Sequence, residues 1–174
     1  IVEHAGIDYR SPAPFDSNHP HREFIRWTEG APTMGEVVLN PTRIYCDPVV
    51  DLLTEARNGS SFSISDIHGI CHVTGGGLSN LLRLHDTLGW SIDTPLPVLP
   101  KFKWLQEAGG VKTREMYRTF NMGMGMVIAV DKAHAQSITE WISHRLPGTA
   151  IVGSVTNDGH VVTHAIEGVE FSHY

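Results

Sequence analysis

The chain has 174 residues, 41% of them hydrophobic and 18% charged, enough to bury one core and too few to argue for two. Thirteen basic against nineteen acidic residues leave a net charge of -6, so no global field draws the protein to nucleic acid or anionic lipid, and neither is expected as a partner. The longest apolar stretch, residues 122–130, is broken by glycines and falls far short of the roughly 20 residues a membrane helix needs.

Cys46 and Cys71 stand in unrelated contexts, with neither a CxxC pair nor a secreted disulfide framework. A reducing compartment, the cytoplasm, is the expectation. Ile1 opens the chain, and residues 1–10 have neither the basic flank nor the apolar core of a signal peptide, which suggests a domain taken from a longer polypeptide.

Residues 11–41 are rich in Pro, Ser, Asn and His, with Phe24, Ile25 and Trp27 as an apolar cluster. They predict an irregular opening segment with one short helix. The segment 47–59 carries Asp47 as an acidic cap, Pro48 at the first helical position and Gly59 beyond the end, and so predicts a helix. Val49, Leu52, Leu53 and Ala56 recur along it at helical spacing, giving one apolar face for the core.

Residues 62–71 fit either a strand or a short helix leading into a glycine loop. Leu78, Leu81, Leu82 and Leu84 then predict a short helix, and residues 90–93 a short strand. After Pro95, Pro97 and Pro100, a helix is expected over 102–108, stopping at Gly109-Gly110, with a further helical turn or two over 114–119. Residues 126–130 have the continuous apolar character of a buried strand. Asp131 is expected to cap a helix running through Arg145 and presenting Ala135, Ile138, Ile142 and Leu146 together. Residues 149–155 and 160–166 read as strands of a hairpin turned by Asn157-Asp158-Gly159. The architecture predicted is a single α+β layered domain with a mixed β-sheet packed by helices.

Three segments carry candidate chemistry. In His72-Val-Thr-Gly-Gly-Gly-Leu-Ser-Asn80, the triplet Gly75, Gly76 and Gly77 runs into a helix, leaving backbone N–H groups that no Cβ obstructs and that can wrap a phosphate. Thr74 and Asn80 can add hydrogen bonds, and Arg83 a charge if it turns toward the ligand. An isolated glycine triplet is more often a connection that binds nothing; the flanking polar residues shift the balance toward a site. In Glu115-Met-Tyr-Arg-Thr-Phe-Asn-Met-Gly-Met-Gly-Met126, Thr119, Asn121 and Gly123 lead into the buried strand, at an edge where ligands often bind. The bland reading is a core strand whose glycines admit a neighbouring element, with methionines as packing. In Pro41-Thr-Arg-Ile-Tyr45, Thr42 and Arg43 can meet a phosphate, although most such arginines are solvated or paired. His68, Cys71 and His72 fall within five residues, but with eleven histidines in the chain chance clustering explains them better than a metal site.

The order of these segments, PTRIY, HVTGGGLSNLLR and EMYRTFNMGMGM, resembles the carboxy-terminal half of the aminoimidazole ribonucleotide synthetases, also called phosphoribosylformylglycinamidine cyclo-ligases, over about residues 40–153. Asp16-Ser-Asn-His19 keeps Ser17 and Asn18 of the family's His-Ser-Asn-Gly segment and departs at its flanks. The resemblance implies an opening segment over 1–40, a family-like core over 41–155 and a terminal hairpin over 156–174. The amino-terminal ATP-binding and dimerisation domain would lie outside this sequence, and the piece alone is not expected to turn over.

The resemblance further implies ATP-dependent ring closure of formylglycinamidine ribonucleotide to aminoimidazole ribonucleotide, a C–N ligase step of purine biosynthesis. ATP and magnesium would be held mainly by the amino-terminal domain, and the full enzyme would be a homodimer. Within this chain it implies His72 as the proton-transfer residue. Arg43, Thr74, Gly75, Gly76, Gly77, Asn80, Thr119, Asn121 and Gly123 would contact substrate or phosphate. The alternatives are another ATP-using member of the superfamily, such as a selenophosphate synthetase, and a non-catalytic module binding phosphate ligands.

Overall fold

The structure, a computed structural model, describes residues 1–15, 32–59 and 61–174. The Phe24, Ile25 and Trp27 cluster and the segment holding Ser17 and Asn18 lie outside the described residues. The opening segment does contain a short helix, α1 (Met34–Val38), started by a capping box in which Thr33 and Glu36 satisfy each other's backbone donors.

Helix α2 (Cys46–Asn58) begins one residue before the acidic cap expected from the sequence. Asp47 sits in its first turn, where a carboxylate favours the positive end of the helix dipole. Gly59 ends it at φ 67°, in the left-handed conformation glycine adopts without a Cβ penalty. Leu52 and Ala56 are its buried residues.

The ambiguous stretch 62–71 contains both a helical turn and a strand: a 3-10 turn (Ile64–Asp66) runs directly into β1 (Ile67–His72). β1 pairs antiparallel with β3 (Met126–Val130) in a two-stranded ribbon, and a register shift lies between Ile67 and Gly69. That bulge explains why residues 62–71 are hard to read, because one extra residue breaks the period-2 alternation. It also turns Ile67 toward one hydrophobic cluster and Cys71 toward another.

β3 sends alternate residues to the same two clusters, Val127 and Ala129 to the first, Ile128 and Val130 to the second. Its unbroken apolar run follows, since both faces are covered. The second cluster joins Leu52, Ala56 and Phe62 to Ile138, Ile142 and Leu146 of the α5 region. α5 (Ala135–Ser143), with His134 rather than Asp131 at its cap position, starts three residues later and ends two residues earlier than expected. Asp131 instead closes a preceding turn, its carboxylate accepting from Ala133 N at 2.8 Å and its carbonyl from His134 N at 3.1 Å.

The larger cluster gathers the 3-10 helix Gly77–Leu84, β2 (Gly89–Ile92), α3 (Pro100–Gly109) and α4 (Thr113–Thr119) around Leu78, Leu81, Phe102 and Met116. Gly110 ends α3 in the left-handed region. Here the structure corrects the expected hairpin. β4 (Gly153–Thr156) and β5 (Val162–His164) do not pair with each other; both pair with β2, β4 antiparallel and β5 parallel to it. The turn at Gly159 carries the chain over the end of β2, where Trp90 N donates to Val161 O at 2.7 Å. β2, with three of its four residues buried, needs partners on both edges. The hairpin that does form joins β5 to β6 (Val169–Phe171) through Gly168 at φ 62°. The resulting sheet, ordered β4-β2-β5-β6, mixes parallel and antiparallel pairs, in keeping with the predicted mixed α+β domain.

Candidate functional site

The three motif segments meet at the end of the ribbon. Val73 N donates to Gly125 O at 2.9 Å, closing β1 against the start of β3 and releasing the glycine loop from the ribbon's end. Tyr45, from the first motif, lays its ring edge-on to His72 at 5.5 Å between centroids. Its hydroxyl fills the space where a side chain at Gly125 would stand. Burial raises the Tyr45 phenol pKa against the lowering effect of Arg43, so it stays a neutral donor.

In the glycine loop, Gly77 N donates to Thr74 O at 2.8 Å and Gly77 adopts φ 54°. Among the described residues, the N–H groups of Gly75 and Gly76 have no acceptor. A Cβ added at Gly75 would meet nothing within 4 Å. Two unpaired donors, the one at Gly75 unobstructed, are what an anion cradle can use.

Asn80 is fully buried, and its carboxamide braces the loop from below. Nδ2 donates to Gly77 O at 2.8 Å, while Oδ1 accepts from Arg83 Nη2 and, at 3.5 Å, from the Thr74 hydroxyl. Its contribution is to the shape of the loop more than to a ligand. His72, Thr74, Asn80 and Arg83 border a cleft of about 490 Å³ together with Cys71. Burial pushes the Cys71 thiol up, with Arg83 opposing, which makes a buried thiol rather than a nucleophile.

The remaining expected residues lie elsewhere. Arg43, Asn121 and Gly123 line a separate, largely apolar trough of about 1830 Å³ between α5 and the 96–102 segment. Arg43 Nη1 donates to Pro147 O at 3.2 Å. Asn121 Oδ1 accepts from Gly123 N at 3.1 Å, and Gly123 takes φ 106° at a place where a Cβ would also meet Pro97 O at 2.5 Å. Thr119 is exposed at the end of α4 and borders neither cavity. The cleft and the trough are separate cavities, with Tyr45 lining the trough and touching His72 of the cleft.

Sequence reasoning missed Tyr45, and also Tyr174, whose ring centroid stands 4.7 Å from Arg83 Cζ at the cleft. Tyr45 stood inside a quoted motif, but only the fold places its ring on His72. Among the described residues, no group of three His, Cys, Asp or Glu side chains is placed to hold a metal ion. The described residues thus offer a magnesium ion no carboxylate set of the kind it takes.

A sequence model of the family described as "AIR synthase related protein, C-terminal domain" matches residues 17–166. The chain belongs to this family. Its relatives include proteins named phosphoribosylformylglycinamidine cyclo-ligase. The one from Methanopyrus kandleri is 39% identical over 132 residues, 76% of this chain and 35% of the relative. That from Nitrosococcus oceani is 40% identical over 136 residues, 75% of this chain and 36% of the relative. That from Methanosarcina mazei is 35% identical over 159 residues, 91% of this chain and 39% of the relative. The chain thus spans little more than a third of the length of these relatives. A solved structure titled "Crystal structure of HypE-HypF complex" overlaps 87% of this chain and 45% of its own at TM-score 0.48 and 16% identity. Among the described residues no helix is long and apolar enough to cross a membrane.

Proposed function

We propose that this chain is the carboxy-terminal domain of a phosphoribosylformylglycinamidine cyclo-ligase, a cytoplasmic, homodimeric, ATP-dependent enzyme of purine biosynthesis. The observation that carries the reading is the convergence of the three motif segments at Tyr45, His72 and Gly125, beside a glycine loop with two open N–H donors. Relatives bearing the cyclo-ligase name support it.

In the proposed reaction the formyl amide oxygen of formylglycinamidine ribonucleotide takes the γ-phosphoryl group of ATP. The amidine nitrogen then attacks that carbon, phosphate leaves, a proton is lost and the imidazole ring closes. Chemistry of this type depends on positioning and on neutralising charge. Gly75 and Gly76 hold a phosphate of the substrate, with Gly77 turning the loop, Thr74 at the rim and Asn80 fixing the loop. His72, exposed at the end of β1, carries the proton. ATP and its magnesium are met mainly by parts of such an enzyme that this sequence does not include. Arg43, Asn121 and Gly123 act from the trough, and Thr119 from the end of α4.

Calorimetric titration of this chain with formylglycinamidine ribonucleotide, and separately with Mg-ATP, tests the reading. Binding of the ribonucleotide alone is expected, weakened when Gly75 is replaced by Val. Binding of Mg-ATP alone would move the loop to the nucleotide. In a complete enzyme, His72→Gln is expected to lower kcat by 10²-fold or more, and unaltered turnover would remove its role.

A further inference from the structure

Arg83 is the one lysine or arginine among the residues lining the small cleft. Among the described residues no carboxylate lies within ion-pair distance of it. Its guanidinium is held instead by neutral groups: Nε donates to Asn80 O at 3.4 Å, Nη2 donates to Asn80 Oδ1, and Cζ stands 4.7 Å from the centroid of the Tyr174 ring. An arginine fixed by neutral partners keeps its full charge for an incoming anion.

Tyr174 reaches this place through β6. Val169 and Phe171 are buried, anchoring the strand, and the ring three residues beyond Phe171 lies against the glycine loop. A Cβ at Gly76 would stand 2.7 Å from Tyr174 Cε2, so the second glycine of the triplet makes room for this ring as well as for the Asn80 amide. One face of the ring covers Arg83, yet the residue remains 66% exposed, a poor contributor to the core.

We propose that Tyr174 is a positioning residue for an anion site in this cleft, stacking on Arg83 and holding its guanidinium at the mouth of the glycine loop for a phosphate monoester. The proposal rests on the reading of that loop as a phosphate cradle and adds to it a cation and the aromatic group that orders the cation. Without the ring, Arg83 regains rotamer freedom that binding must again remove.

The test titrates this chain with ribose 5-phosphate and follows the Arg83 Nε–Hε signal by ¹⁵N NMR. Y174A is expected to weaken binding roughly three- to tenfold and to broaden the Arg83 signal, with the melting temperature unmoved. Y174L, which keeps apolar cover without a π face, is expected to behave as Y174A does, and Y174F to match the wild type. Arg83→Gln is expected to lose most of the affinity. Unchanged binding and an unchanged Arg83 signal in Y174A would overturn the proposal and leave the phosphate cradle standing. Equal weakening in Y174F and Y174A would assign the effect to the hydroxyl and overturn the stacking role. No binding of ribose 5-phosphate by the wild type would take down the cradle and this proposal together.

Discussion

At Gly77 the backbone takes φ 54°, and a side chain there would run into the Tyr117 carbonyl at the end of α4. Strain and collision act together, so Gly77→Ala is expected to destabilise the fold by at least about 2 kcal/mol, read from urea denaturation. The glycine triplet was legible as a place needing glycine, but the reason at position 77 is a carbonyl forty residues away in sequence. Asn80 shows the same limit: its polarity marked a site, and its burial makes it a brace. His164 carried no signal at all. It is 1% exposed, its Nδ1 accepts from Glu167 N at 3.2 Å, and its Nε2 has no partner. The Tyr117 ring lies 4.7 Å away, its phenol pushed up to about 12 by burial and by Glu167, so it stays neutral. Burial lowers the His164 pKa, with Glu167 opposing. The folded state therefore binds fewer protons here than the unfolded chain. The stability is present in full above the free-histidine pKa of about 6.5 and is lost as pH falls toward the lowered value. Unfolding measured from about pH 7.5 to about pH 5 should show a steeper loss in the wild type than in His164→Gln; equal slopes would exclude this histidine as the cause.

Among the elements, those set by local rules were legible. Pro48 and Gly59 framed α2, the glycines after residue 108 ended α3, and the apolar run of β3 announced a strand covered on both sides. Pairing was not legible. Asn157-Asp158-Gly159 does turn the chain, but a turn signal says nothing about which strand lies between its arms, and β2 takes that place. The ribbon β1–β3 lies between the two hydrophobic clusters and presents one face to each. Leu52, at 0% exposure, is a central residue of the second cluster, packed with α5 and away from the glycine loop. Leu52→Ala is expected to cost about 2–5 kcal/mol in denaturant unfolding while leaving ribose 5-phosphate affinity within about twofold, because sites without shared partners act additively. A large loss of affinity would show that the ribbon transmits strain to the loop.

For the molecule as a whole, three short motifs in order gave the family, because such motifs are contiguous in sequence. The glycine loop, the glycine ends of α2 and α3 and the α+β class were determined at that level, by backbone chemistry and by hydrophobic period. Tertiary structure alone divided the expected site into a polar cleft and an apolar trough, set Tyr45 on His72, and brought Tyr174 back over Gly76 and Arg83. The physical reason is range. Propensity and turn geometry act over a few residues, whereas these contacts join side chains tens of residues apart, and only the packing of β6, α4 and the ribbon around shared cores specifies where they meet.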